Sequence, residues 1–61
     1  MKIVTEEQRI ILDHLANGHT NTEIGYFIGK SQSYVTNCIS TLLLENDARN
    51  RTHLIAKYLE K

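Results

Sequence analysis

The side chains of this 61-residue chain that can act as acids, bases, nucleophiles or metal ligands are three histidines, one cysteine and seven carboxylates. Their spacing does not assemble them. His14 and His19 are five positions apart across an expected helix end, His53 is remote, and no Cys/His set has the spacing of a structural zinc site. Cys38 stands alone, which excludes an internal disulfide, and nothing nearby would make it a nucleophile. No nucleophile–base pair, no carboxylate pair on one face and no phosphate-cradling glycine loop can be placed. The expectation is a protein that is not an enzyme, with no metal and no cofactor. What remains is recognition. From Ser31 to Leu44 the chain offers hydroxyls and amides and no charged residue, and such groups can specify bases, Asn and Gln pairing with adenine above all.

Length and charge bound the rest. Sixty-one residues and 7.0 kDa allow one domain, 1–61. A chain this short buries only about 60% of its unfolded surface, leaving little room for a large enzyme pocket. Seven Lys plus Arg balance seven Asp plus Glu, so the formal net charge is zero. Composition therefore gives no reason to expect a nucleic-acid binder, whose footprint is usually basic. No unbroken apolar run exceeds three residues, as at Leu42 to Leu44, so no stretch has the length of a membrane span or of a signal peptide's apolar region. A cytoplasmic protein is expected.

The elements that must position the polar run are helices, at about 6–17, 21–28, 32–45 and 51–60, an all-α arrangement. Thr5 with Gln8 three residues on forms a capping box, and Glu6 and Glu7 sit in the favourable first turn. Ile11, Leu12, Leu15 and Ala16 make one apolar stripe, which Gly18 ends. Thr20 and Glu23 repeat the cap for a second helix, with Ile24, Phe27 and Ile28 as its apolar face. Gly25 inside that helix costs about 1 kcal/mol against alanine, a loss that a close helix crossing would explain, the alternative being a glycine simply tolerated there. Ser31 caps the third helix, whose buried side is Val35, Ile39, Leu42 and Leu43, and Asn46-Asp47 ends it. Three adjacent leucines cannot share one face, so Leu44 is a candidate for exposure. Asn50 caps the fourth helix. A short helix, a connection of about three residues and a longer helix are the anatomy of a helix-turn-helix.

The residues also resemble a known family. Val4-Thr5 followed by Arg9, Leu15-Ala16 with Gly18, Thr20-Asn21-Thr22-Glu23-Ile24-Gly25, Ser31 with Tyr34-Val35 and Cys38-Ile39, and Asn50-Arg51-Thr52 occur in order without gaps. This pattern is similar to that of the LuxR/GerE-type helix-turn-helix domain, L-T-x-R-E, L-A-x-G, S-N-K-E-I-A, S-x-x-T-V-K-x-H-x-x-x-I and N-R-T, from Val4 to about Leu59. The resemblance implies a four-helix domain whose third helix enters the major groove of double-stranded DNA and whose fourth forms a twofold dimer contact. Carried over, Thr36, Asn37 and Ser40 fall where the family reads base edges. Asn21, Thr22, Lys30, Gln32, Ser33 and Tyr34 fall near its phosphate contacts. Arg9, Glu23 and Arg51 match charged family positions and are expected to form ion pairs between helices.

The departures bear on function. The family usually has Lys or Arg where this chain has Thr36, His where it has Cys38, and Leu-Gly where it has Asn46-Asp47. Each phosphate neutralised adds about 0.9 to the log–log salt slope, and here only Lys30, Arg49, Arg51 and Lys2 lie near the expected face. Binding should be weak. On the fourth helix, Leu54, Ile55, Tyr58 and Leu59 exceed what so small a core can bury, which predicts a homodimer or partner stripe; otherwise Leu54 and Tyr58 complete the core and the other two are isolated. Tyr34 either packs beside a phosphate or partner or covers the start of the third helix. Two readings follow. The chain is a stand-alone transcription regulator, as some members of that family are, governed by its own abundance or a partner. Alternatively it is a DNA-binding-deficient antagonist of a LuxR-type regulator or other transcription factor. The opening Met-Lys-Ile and immediate capping box suit a natural start, and the small size suits a phage or mobile-element product.

Overall fold

The computed structural model describes residues 1–3 and 5–60. Val4 and Lys61 lie outside the described residues, and with Val4 the first position of the family resemblance. Four helices and no strand occur among the described residues: α1 Glu6–Ala16, α2 Asn21–Ile28, α3 Gln32–Glu45 and α4 Arg51–Glu60.

Their starts follow from side-chain oxygens placed to receive otherwise unpaired backbone N–H groups. Thr5 and Thr20 accept from the N–H groups of Gln8 and Glu23, whose side chains accept in return from the Thr5 and Thr20 N–H groups. Ser31 accepts from the Tyr34 N–H at 3.1 Å. At α4 the Asn50 amide oxygen accepts from the His53 N–H at 2.8 Å, and His53 Nδ1 accepts from the Arg49 N–H at 3.0 Å. His53 thus accepts from the N–H one residue before the cap, whereas Gln8 and Glu23 accept from the N–H of the cap residue itself.

Three helix ends share one design. After α1, Gly18 takes φ 85°, with His19 N–H on the His14 carbonyl and Gly18 N–H on that of Leu15. After α2, Gly29 takes φ 71°, with Lys30 N–H on the Gly25 carbonyl at 2.8 Å. After α3, Asp47 takes φ 53°, with Ala48 N–H on the Leu43 carbonyl at 2.9 Å. These are Schellman endings, which need a left-handed residue just past the helix. Glycine supplies it twice and aspartate once.

The core comprises Ile11, Leu12 and Leu15 from α1, Ile24 from α2, Val35, Ile39 and Leu42 from α3, and Leu54 and Tyr58 from α4. Each helix contributes an i, i+3 or i, i+4 set except the short α2, whose Ile28 is only half-buried. Phe27 departs from the expected α2 apolar face: it is 58% exposed. Ile24 and Ile28 share the inward face at i, i+4, which turns Phe27 outward onto the rings of His14 and His19, at centroid distances of 4.7 and 5.5 Å.

The expected ion pairs between helices are also replaced. The two ion pairs among the described residues both lie within α1, from Arg9 to Glu6 and to Asp13. Glu23 is occupied in the α2 cap, and the two Thr20 hydrogen bonds hold its carboxyl below the ordinary range. The α1–α4 contact uses a neutral group instead: the Tyr58 hydroxyl donates to Asp13. That bond, with burial, pushes the phenol above its ordinary pKa.

Candidate nucleic-acid interface

The α2–turn–α3 unit is fixed by how close two pieces of backbone come. A Cβ built on Gly25 would sit 2.6 Å from the Lys30 carbonyl oxygen and 3.3 Å from Ser31 backbone atoms. The third residue of the turn therefore lies directly on α2, where only glycine leaves room. Gly25 answers to this turn backbone, whereas a helix crossing was the expected reason for it. Gly29 then reverses the chain and Ser31 starts α3.

So placed, α3 buries Val35, Ile39 and Leu42 and presents Gln32, Ser33, Thr36, Asn37, Ser40, Thr41 and Leu44 to solvent. Ser33, Asn37, Ser40 and Leu44 follow one another at spacings of four, three and four, so they form a single stripe along the outermost line of the helix. The stripe is polar and uncharged over three of its four positions, and Leu44, 83% exposed, closes it at the C-terminal end. Hydroxyls and a carboxamide in this order donate and accept, which suits base edges or another polar surface.

The candidate residues divide by surroundings. Ser33, Asn37 and Ser40 stand exposed, as do Thr22, Lys30 and Gln32. Thr36 and Asn21 are tied to their neighbours: the Asn21 amide donates to Thr36 Oγ1 at 3.1 Å, and the Thr36 hydroxyl donates to the Gln32 carbonyl at 3.0 Å. Asn21 in turn accepts from Arg51 Nη1 at 2.7 Å, while Arg51 Nη2 donates to the His19 carbonyl at 2.6 Å. Arg51 thus serves amide and carbonyl oxygens in place of the carboxylate expected from its charge.

Tyr34 covers the start of α3 by reaching across to α1. Its hydroxyl donates to Glu7, and the Lys30 ammonium lies 5.1 Å above its ring. The Glu7 bond, with desolvation and the Glu7 charge, pushes the Tyr34 phenol up to about 12. Cys38, one turn along, is half-buried, and burial raises its thiol above the ordinary value, so it is a poor nucleophile.

No family model matches this chain. Nor does any curated protein or solved structure with which it was compared. The chemistry of the surface therefore carries the functional reading, and the LuxR/GerE resemblance stays a likeness of residues.

On α4 the expected partner stripe loses two of its members. Leu54 is fully buried and Tyr58 is 3% exposed, because they complete the core against α1 and α3. Ile55 is half-buried and Leu59 is 64% exposed, so these two are what α4 offers to a partner.

Two arrangements were not legible from the residues. His14 Nδ1 and His19 Nδ1 meet at 2.9 Å beneath Phe27, one hydrogen bond between imidazoles. The Asn46 carboxamide clasps the chain start, accepting from Lys2 N–H at 2.6 Å and donating to the Lys2 carbonyl at 3.1 Å. Among the described residues no group of three or more His, Cys, Asp or Glu could hold a metal ion, and no helix is long and apolar enough to cross a membrane.

Proposed function

We propose that this chain is a small stand-alone transcription regulator of the LuxR/GerE helix-turn-helix type, binding double-stranded DNA weakly through α3 and pairing with a second copy through Ile55 and Leu59 of α4. The observation that carries the reading is the α2–turn–α3 unit, locked by Gly25 and Gly29, which exposes an uncharged hydrogen-bonding stripe along α3. The width of a major groove admits one such helix, and Asn37 is the side chain on the stripe suited to a bidentate contact with adenine. The protein would act where the DNA is, in the cytoplasm.

A second reading, an antagonist that binds a LuxR-type regulator or other transcription factor, draws on the cations. Arg9 is engaged by Glu6 and Asp13 and Arg51 by Asn21 and His19, leaving Lys30, Arg49 and Lys2 as the cations nearest the α3 face. Fluorescence anisotropy with labelled random and genomic duplexes separates the two. Binding tighter than about micromolar at about 50 mM salt, with a log–log slope of two or more, supports the regulator and removes the simple antagonist. No binding under those conditions refutes the regulator.

A further inference from the structure

We propose that Arg51 is a positioning residue for the recognition face, fixing Asn21 and committing the Thr36 proton inside the protein so that Ser33, Asn37 and Ser40 do the reading. This rests on the DNA-binding reading above. Three hydrogen bonds run in series from the first turn of α4 into α3, and a fourth branches from Arg51 to the α1–α2 connection. Arg51 Nη2 donates to the His19 carbonyl and Nη1 to Asn21 Oδ1, at 2.6 and 2.7 Å. The other end of the same carboxamide, Asn21 Nδ2, donates to Thr36 Oγ1, and the Thr36 hydroxyl donates to the Gln32 carbonyl within α3.

The direction of these bonds decides what each group can still do. Arg51 orients the Asn21 carboxamide: its guanidinium can only donate, so it fixes the oxygen towards α4 and the NH2 towards α3. Thr36 then has its only proton committed to Gln32 and one lone pair taken by Asn21. To donate to a base it must break the bond to Gln32, and Asn21 keeps a single side-chain N–H for a phosphate, in the orientation its two partners impose. Ser33, Asn37 and Ser40 carry no such commitment and form the outermost line of the helix. The chain also ties the α2 start, the α1–α2 connection and α4 to α3, so the attitude of the stripe depends on a residue that need not touch DNA.

Arg51 is half-buried, and its planar fork serves two acceptors at once; lysine keeps the charge but not the fork. The test therefore compares Arg51→Lys, Thr36→Val and Asn37→Ala with the unaltered protein. Each is titrated against the tightest duplex enriched from a random pool, and against random duplex, across a range of salt. Arg51→Lys is expected to lose about tenfold for the enriched duplex, with its salt slope and its affinity for random duplex unchanged. Thr36→Val is expected to weaken the same binding without changing which base is preferred at any position. Asn37→Ala is expected to relax the preference at one position. Equal weakening on both duplexes would make the residue at 51 a phosphate contact and overturn the proposal, as would a changed base preference in Thr36→Val. Nitrogen–proton NMR spectra of the free proteins keep this separable from DNA binding. Arg51→Lys must shift the Asn21 side-chain amide and the Thr36 backbone signals, and unmoved signals overturn the interlock. A protein that binds neither duplex while those signals move refutes the DNA-binding reading and, with it, the positioning role, but not the interlock.

Discussion

Replacing Gly25 by alanine sets two physical effects against each other, and the structure decides the sign. Helix propensity alone favours alanine inside α2 by about 1 kcal/mol. The added methyl, however, would meet the Lys30 carbonyl oxygen at 2.6 Å and the Ser31 carbonyl carbon and oxygen at 3.3 Å. Ordinary non-bonded contact is roughly 3.5 Å, so the turn has to retreat by nearly an ångström. All three obstructing atoms are backbone and cannot swing aside like a side-chain tip. They are held by the Lys30 N–H bond to Gly25, by the left-handed Gly29 and by the Ser31 cap on α3. Forcing a methyl into a packed site costs about 1–3 kcal/mol, and more where backbone must move. The net expectation is a loss of about 1–2 kcal/mol, a fall in Tm of about 8–16 °C for a domain of this size. Thermal and urea unfolding followed by far-ultraviolet circular dichroism measures it. A Tm equal to or above that of the unaltered protein would refute the close approach and, with it, the turn geometry that sets the α3 face.

Three further expectations rest on single groups. Asp47→Gly should raise stability by about 1 kcal/mol, because glycine accepts φ 53° without strain and removes a negative charge from the end of α3; an unchanged urea midpoint would count against the Schellman ending. Glu23, its folded pKa depressed by Thr20, contributes stability that is fully present above its ordinary value near 4.5 and lost as pH falls through the lower folded value. Glu23→Gln should flatten the acid limb of the Tm–pH curve, and an identical limb would show that this carboxyl is not the cause. In alkali the sign reverses: the neutral Tyr34 phenol is favoured up to its unfolded pKa near 10, and that contribution disappears as pH rises through about 12. Glu7→Ala should bring one late-titrating tyrosine back towards 10 in an ultraviolet absorbance titration, and a curve unaltered by the substitution would remove the Tyr34–Glu7 bond from the account.

The elements were legible because their signals are local. Thr5, Thr20, Ser31 and Asn50 announce helix starts through groups three residues away, and Gly18 and Gly29 announce ends through a backbone conformation. The core stripes are likewise periodic within each helix. Phe27 was misplaced because periodicity in an eight-residue helix leaves the edge of the apolar face undefined; only the positions of His14 and His19, set by the end of α1, give the ring an alternative neighbour. Arg51 was read from its charge, which suggested a carboxylate partner. Its actual partners are an amide thirty residues away and a carbonyl thirty-two away, oxygens that no sequence distinguishes from any others. The exposed α3 stripe was visible as a charge-free run, but which members are committed internally depends on where α2 and α4 dock.

The zero net charge acquires a location from this arrangement. Of the cations, Arg9 is paired inside α1 and Arg51 is turned inward to neutral oxygens, and Lys30 lies over the Tyr34 ring whose hydroxyl holds Glu7. The surface around α3 thus lacks the field that normally holds a protein on DNA irrespective of sequence. Base contacts and phosphate contacts scale differently with salt, the first hardly at all and the second steeply. On the DNA-binding proposal, contacts from Ser33, Asn37 and Ser40 supported by Lys30, Arg49 and Lys2 should consequently give a log–log salt slope of about two to three, shallow beside that of a basic helix-turn-helix. The protein's discrimination between duplexes should survive salt that would strip a basic helix-turn-helix from its site. On that proposal affinity has to come from a second copy or another protein bound alongside, and the apolar positions left open for that are Leu59, with Ile55 beside it, and Leu44 at the end of the exposed α3 stripe.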